Sequence, residues 1–283
     1  MTRSARIHTP MLYPILQLIS RVLLKAGVAL RAIGLTLVIS ISFLMLAPIQ
    51  WAILRLRPRS GWVLPRLFYG SVLRLVKVQV KVSGRVPQDM RRNMAALVVT
   101  NHVSWTDIPA LGALFPAAFV AKSEVGRWPI IRTFARLVNT IFVDRGARAS
   151  IPLTNAAMLT QIEAGEHVVL FPEATTHANG PQPFHSSHFA IVEELHNRGR
   201  DYAIQPIAIR YSSAHAAWIG DDALLPHVFA LMRGAPVTCQ LIFCEPLTLD
   251  ERLPRRAIAQ ACYERIVAAY AGAALTSPPA RAS

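Results

Sequence analysis

Acidic residues are scarce where this chain begins: the first 92 residues hold one, Asp89, against fifteen Lys or Arg. The other 191 residues carry fifteen of each sign, so the formal net charge of +14 belongs to the amino-terminal third. Cysteine is nearly missing, and Cys239, Cys244 and Cys262 are odd in number and lack metal-ligand spacing. They read as small apolar residues in a reducing compartment. No G-x-S-x-G elbow and no catalytic cysteine motif is present, so the chain offers no nucleophile of its own. There is no internal repeat, and the only biased segment is the small, proline-containing tail from Leu275 to Ser283, expected to be disordered.

Apolar residues, in contrast, are plentiful, at 53% of the chain with a mean hydropathy of +0.35. Ala32 to Leu54 is a run of 23 residues without a formal charge, long enough to cross a bilayer and too deep in the chain for a cleavable signal. Pro48 should kink this helix or end it early. Met11 to Leu30, with Arg21 and Lys25 among Leu, Ile and Val, reads either as an amphipathic interfacial helix or as the start of one long helix. The bases Arg55, Arg57, Arg59 and Arg66 lie densely downstream of the run, which by the positive-inside rule leaves the rest of the chain in the cytoplasm, on a cell inner membrane. Trp51, Trp62, Phe68 and Tyr69 suit anchoring at headgroup level. With no nucleic-acid-binding motif present, the basicity points to a membrane partner and to no nucleic acid. The interval Trp128 to Val138, with Arg132 and Arg136, has the pattern of a further amphipathic helix at the surface.

Lys77 to Val82 alternates as a first strand and stops at Ser83-Gly84. Further strands are expected at 95–100, 117–121, 140–143, 167–171, 203–210 and 237–243, with helical patterns between them. Strands alternating with helices indicate an α/β fold with a largely parallel sheet flanked by helices, preceded by an amino-terminal membrane helix or helices. The expected division is a basic membrane-anchoring region at 1–76, a catalytic domain at 77–273 and the tail at 274–283.

The run AALVVT stops at Asn101-His102, which places His102 at a strand's carboxyl end, the edge where open α/β sheets bind ligands. Ser104 is a candidate N-cap for a helix from Trp105 to Leu114, and Asp107 follows three residues later. A neutral imidazole can take a proton from a hydroxyl near pH 7, and a carboxylate on its far nitrogen fixes the tautomer. His102 and Asp107 are therefore candidates for a general base and its orienter, although Asp107 also fits an ordinary capping box. Without a nucleophile in the chain, the hydroxyl to be activated belongs to the substrate.

The stretch NHVSWTD, the run from Ala121-Lys122-Ser123-Glu124 to Val143-Asp144-Arg145, FPEATT at 171–176 and Ile204-Gln205-Pro206-Ile207 together resemble the four sequence blocks of the glycerolipid acyltransferases typified by 1-acyl-sn-glycerol-3-phosphate acyltransferase. Their order and spacing agree over about residues 78 to 247. Three departures stand out: Ala174 replaces a usual glycine, Thr176-His177 stand where arginine-serine is common, and Pro183 to Ser187 replace a basic, glycine-containing segment. Thr175-Thr176 and the segment from Trp218 to His227 resemble the branch that acylates lyso-ornithine lipid.

The resemblance implies a membrane-bound O-acyltransferase that moves a fatty acyl group from a thioester, on acyl carrier protein or coenzyme A, to the free hydroxyl of a lysolipid. The thioester is a donor substrate, and no cofactor or metal is implied. His102 and Asp107 would be catalytic. Arg145 would bind the anionic part of the acceptor, and Glu173, Thr175 and Thr176 would help to hold its head group. The main expectation is a 1-acylglycerol-3-phosphate acceptor and the alternative is lyso-ornithine lipid. A different class, a non-catalytic lipid-binding protein of the same fold, is made thinkable by Ala174 and the altered 183–187 segment.

Overall fold

The computed structural model describes residues 12–56, 62–84, 95–123, 126, 129–143, 149–199, 202–220, 222–247 and 253–272. The expected tail lies outside them. Seven strands form one sheet in the order β1-β7-β6-β2-β5-β3-β4. They are β1 (Val78–Gly84), β2 (Ala96–Thr100), β3 (Ala118–Lys122), β4 (Ile141–Val143), β5 (Val168–Leu170), β6 (Ala203–Tyr211) and β7 (Val237–Phe243). All neighbours run parallel except β6 and β7. The carboxyl ends of β2, β3, β4, β5 and β6 therefore share one edge.

Alternation along β2 explains the layers. Ala96 and Val98 face one apolar cluster, whereas Leu97 and Val99 face the other, and all four are fully buried. The first face is covered by α3 (Val63–Leu75), α4 (Asp107–Gly112) and α8 (Leu224–Arg233) through residues such as Leu73, Leu111 and Leu231. The second is covered by α6 (Ser150–Glu163), α7 (Ala190–Asn197) and α9 (Arg255–Gly272) through Met158, Leu195 and Ile266.

The amino-terminal segment is one helical path. Helix α1 (Leu12–Ile41) continues through a widened turn at Ser42–Leu46 into α2 (Ala47–Leu56). Within it, Gln17–Ile53 is long and apolar enough to cross a membrane. Of the two readings of Met11 to Leu30, the start of a long helix is the one observed. Of the two effects expected of Pro48, it does not end the helix; the helix runs on with a local distortion just before the proline. Proline lacks an N–H, and its ring crowds the carbonyl four residues back. The turn just before it opens so that the Ala47 N–H reaches Ser42 O, five residues away, which makes room for that ring.

One side of this helix is not free. Val28 is buried in the first cluster, Ala32 and Leu35 pack on its margin, and Gly34 sits against Leu75 of α3. The opposite side is bare and apolar, with Leu30 at 72% and Leu44 at 70% exposure. The expected amphipathic interval forms α5 (Pro129–Leu137), where Phe134 stacks on Phe68 at 4.6 Å and meets Phe43 edge-on at 6.4 Å. Arg132 and Arg136 are exposed on it.

Helix α3 meets α4 at Gly112. The Trp62 indole donates to Gly112 O at 3.0 Å, and a Cβ at Gly112 would lie 2.4 Å from the Tyr69 ring. Gly112→Ala is therefore expected to lower stability by about 1 to 3 kcal/mol through overpacking. Gly70→Ala, where nothing lies within 4 Å, is expected to stabilise by roughly 1 kcal/mol as a helix-propensity change. Denaturant unfolding of the solubilised variants checks both, and equal stabilities would show that α3 and α4 do not make this contact.

Candidate active site

The chain leaves the sheet at Asn101, and its side chain explains how. Asn101 Nδ2 donates to Ile209 O at 2.9 Å while Oδ1 accepts from Ile209 N at 2.7 Å, so a buried amide takes over the ladder from the backbone. Strand β2 stays tied to β6 while the main chain turns away. His102 is the first residue past that tie.

Four contacts hold His102. Its N–H donates to Glu173 Oε2 at 2.8 Å, and its carbonyl accepts from the His177 N–H at 2.8 Å. Its ring stacks on Phe171 with centroids 4.1 Å apart. Nδ1 lies 2.8 Å from Asp107 Oδ2, and the imidazole keeps 11% exposure while Asp107 has none. Nδ1 therefore carries the proton and donates to the carboxylate, which leaves Nε2 as the basic nitrogen.

The same Asp107 oxygen accepts from Val103 N at 2.7 Å and Ser104 N at 3.0 Å. Both bonds close the turn that precedes the helix. The capping-box reading of Asp107 is corrected, because the helix begins at Asp107 itself and the same oxygen serves both the His102 imidazole and the backbone of the turn before it. Helix α4 starts later than expected, at Asp107, and its N-cap is Thr106 with no side-chain cap bond. The residues from 103 to 106 form the turn that this carboxylate organises. Asp107 Oδ1 accepts from Tyr211 OH at 2.7 Å, and Thr106 Oγ1 lies 2.7 Å from the same phenol oxygen.

Glu173 follows β5 and is buried, with 5% exposure. Its second oxygen accepts from Gln182 N at 2.7 Å. Burial pushes its carboxyl up to about 7, against the opposing pull of these two backbone bonds, and the Asp107 charge adds to the rise. Both Glu173 oxygens are thus engaged by main-chain amides, one from the His102 loop and one from the 180–182 turn. Ala174, where the family usually has glycine, sits in the left-handed region that favours glycine, at φ 63°. Thr175 is exposed beside it, whereas the Thr176 hydroxyl is turned inward and donates to Trp218 O.

That bond joins two stretches singled out in the sequence, 175–176 and 218–227. Trp218 N donates to Val103 O at 3.0 Å, and the Trp105 indole donates to His227 Nδ1 at 3.0 Å. The His227 Nε2–H then points to Ala217 O at 3.0 Å, and burial lowers the pKa of this imidazole. The segment is strapped over the NHVSWTD loop. Arg145 lies outside the described residues; the strand before it, β4, ends on the same edge as β2 and β5. Among the described residues no group of three or more His, Cys, Asp or Glu could hold a metal ion.

Tyr211, Thr106, Gln182 and the Trp105–His227 pair were not anticipated. Tyr211 is 104 residues from Asp107, and only the adjacency of β2 and β6 could have pointed to it.

A family model described as Acyltransferase matches residues 78–210. The lyso-ornithine lipid O-acyltransferase of Brucella abortus is 32% identical over 248 residues, covering 82% of this chain and 91% of its own length. The 1-acyl-sn-glycerol-3-phosphate acyltransferase of Neisseria meningitidis serogroup B is 34% identical over 120 residues, 42% of this chain and 46% of its own. Among solved structures, the 1-acyl-sn-glycerophosphate acyltransferase of Thermotoga maritima superposes with a TM-score of 0.59 over 88% of this chain and 98% of that one, at 18% identity, and shares the fold.

Two outcomes follow from this geometry. Ala174→Gly should raise stability by about 1 kcal/mol, because a left-handed residue with a Cβ is strained; a thermal midpoint unchanged or lowered would contradict the strain. Glu173 has a raised pKa in the fold, so its contribution is fully present below about 4.5 and is lost as pH rises through about 7. Glu173→Gln lacks that titration. The stability difference, variant minus wild type, should move in the variant's favour across this window, and a pH-independent difference would contradict it.

Proposed function

The chain belongs to the acyltransferase family, and we propose that within it this protein transfers a fatty acyl group from a thioester donor to the hydroxyl of lyso-ornithine lipid at a membrane surface. The observation that carries the reaction is the His102–Asp107 pair, with Nδ1 committed to a fully buried carboxylate, which leaves Nε2 as the basic nitrogen. The acceptor hydroxyl gives its proton to His102 Nε2 as its oxygen attacks the thioester carbonyl. Asp107 stabilises the imidazolium that forms. The tetrahedral intermediate collapses, the carbon–sulfur bond breaks, and the imidazolium returns the proton to the departing thiolate. A thioester carbonyl is already activated, whether carried on acyl carrier protein or coenzyme A.

The expected order of acceptors is reversed here. The Brucella relative, named for lyso-ornithine lipid, aligns over most of both chains, whereas the Neisseria relative, named for the glycerol phosphate acceptor, aligns over less than half of either. One of the departures in the sequence falls on the turn that meets the strap: Thr176 stands where arginine is common and binds Trp218 O. Loss of that guanidinium weakens a grip on a phosphate monoester, which suits an amino-acid head group.

Within this reading Arg145 takes the acceptor's carboxylate and Thr175 lies beside its head group. Glu173 and Thr176 act from inside, by holding His102 and the strap. The apolar outer side of α1 and α2 supports membrane attachment, with the site facing the cytoplasm by the positive-inside rule. An intact His-Asp pair weighs against a non-catalytic lipid-binding role.

The test is a paired assay of detergent-solubilised protein with labelled acyl thioester, offering lyso-ornithine lipid and 1-acylglycerol-3-phosphate side by side, with His102→Ala as the blank. Wild type should form ornithine lipid, and His102→Ala should lose roughly three orders of magnitude or more. Phosphatidate as the sole product would overturn the acceptor, and activity surviving in His102→Ala would overturn the base.

A further inference from the structure

The donors around Asp107 are unevenly shared. Oδ2 receives three, from His102 Nδ1, Val103 N and Ser104 N, whereas Oδ1 receives the Tyr211 hydroxyl. A carboxylate held at one oxygen pivots about its last torsion, and the oxygen that pivots is buried. Tyr211 pins the other end. A phenol has one proton, and since it goes to Asp107, the short contact to Thr106 runs the other way, from the Thr106 hydroxyl to the Tyr211 oxygen. The result is a directed chain, Thr106 to Tyr211 to Asp107 to His102, in which each bond polarises the next.

We infer that Tyr211 is a positioning residue for the base, with Thr106 behind it: the pair fixes the plane of the Asp107 carboxylate and draws charge away from the oxygen that faces His102. The inference rests on His102 being the base. Neither residue reaches the reacting atoms, because the whole of Asp107 lies between them and the imidazole.

The fold supports this assignment independently of the hydrogen bonds. Tyr211 is the last residue of β6, and Ile209, on the same face two residues earlier, is the backbone unit that Asn101 clasps. The end of β6 therefore holds the His102 loop twice, at Asn101 and at Asp107. Thr106 is fully buried, as is Asp107, so neither hydroxyl nor carboxylate is positioned by solvent. Burial and the neighbouring Asp107 charge both keep the phenol protonated as a donor. The titratable neighbours on each side are Asp107 of α4 and Glu173 after β5 for His102, and Cys239 of β7, opposite Tyr211 in the ladder, for the phenol.

The sign of the effect distinguishes this role from simple support. Without the phenol, Asp107 keeps more charge facing Nδ1 and stabilises the imidazolium more. The histidine then stays protonated to a higher pH, and the acid limb of the rate profile moves up.

The experiment compares wild type, Tyr211→Phe, Thr106→Val and the double variant, with His102→Ala as blank, in the acyl-transfer assay over pH, together with thermal midpoints. For Tyr211→Phe, kcat should fall about tenfold or more, the scale of losing one hydrogen bond to a charged group, with KM for the thioester unchanged. Its acid limb should move up by about half a pH unit or more. Thr106→Val should shift the limb the same way by less, and should add nothing in the Tyr211→Phe background. A limb that stays in place, or a Thr106→Val cost as large with Tyr211 absent as with it present, would overturn the inference. If Tyr211→Phe does not fold, Thr106→Val decides alone: a shifted limb at wild-type stability sustains the chain and an unshifted one refutes it. A dead His102→Ala with wild-type behaviour in the three other variants would reject the role of Tyr211 and leave the base standing, whereas a live His102→Ala would reject the base itself.

Discussion

One buried carboxylate organises this active site. Asp107 has no exposure, and such a charge is tolerable only when its oxygens are met by donors. Four are supplied: two backbone amides of the turn it closes, the imidazole of His102 and the phenol of Tyr211. The same bonds that make the charge affordable also set the loop conformation, the tautomer and the direction in which Nε2 points. A neutral amide at this position would accept at one atom only and would present donors to donors at the other, so the whole turn depends on a carboxylate being there.

A second carboxylate, Glu173, does the complementary job on the backbone. It gathers the His102 N–H and the Gln182 N–H on its two oxygens, while the His177 N–H closes on the His102 carbonyl. His102 is thus fixed by main chain, side chain and ring face at once, which restricts the imidazole before any substrate arrives. Glu173 is the group that burial shifts, with its carboxyl pushed up to about 7, and the nearby Asp107 charge adds to the rise.

Much of this was legible in the sequence, for reasons tied to short-range chemistry. Each strand showed itself as a β-branched or alternating apolar run, and His102 and Asp107 lie within one turn, so their meeting needs only local geometry. Tyr211 was not legible, because its contact with Asp107 spans 104 residues and depends on β6 lying beside β2. Glu173 was expected at a ligand; its two bonds to main-chain amides could not be read from side-chain types, since backbone donors leave no trace in composition. Pro48 was expected to kink the long apolar helix or end it early, and the form the accommodation takes, a widened turn before it, arises from backbone relaxation that carries no residue signature.

Helix α4 joins the chemistry to the membrane-facing part of the molecule. Asp107 is its first residue and Gly112 its last, so the helix spans about 8 Å from the base's orienter to the contact with Trp62, just before α3, and with Tyr69 of α3. Helix α3 in turn packs against α1, where Leu75 meets Gly34 on the sheltered side of the long apolar helix. Every link in this path is a close contact between rigid elements, with no loop between the apolar helices and the carboxylate. A lysolipid acceptor keeps its acyl chain in the bilayer and presents its hydroxyl at a depth set by its own geometry. An enzyme that meets it there needs its base at a fixed height above the same plane, and a short helix wedged between anchor and active site provides that height.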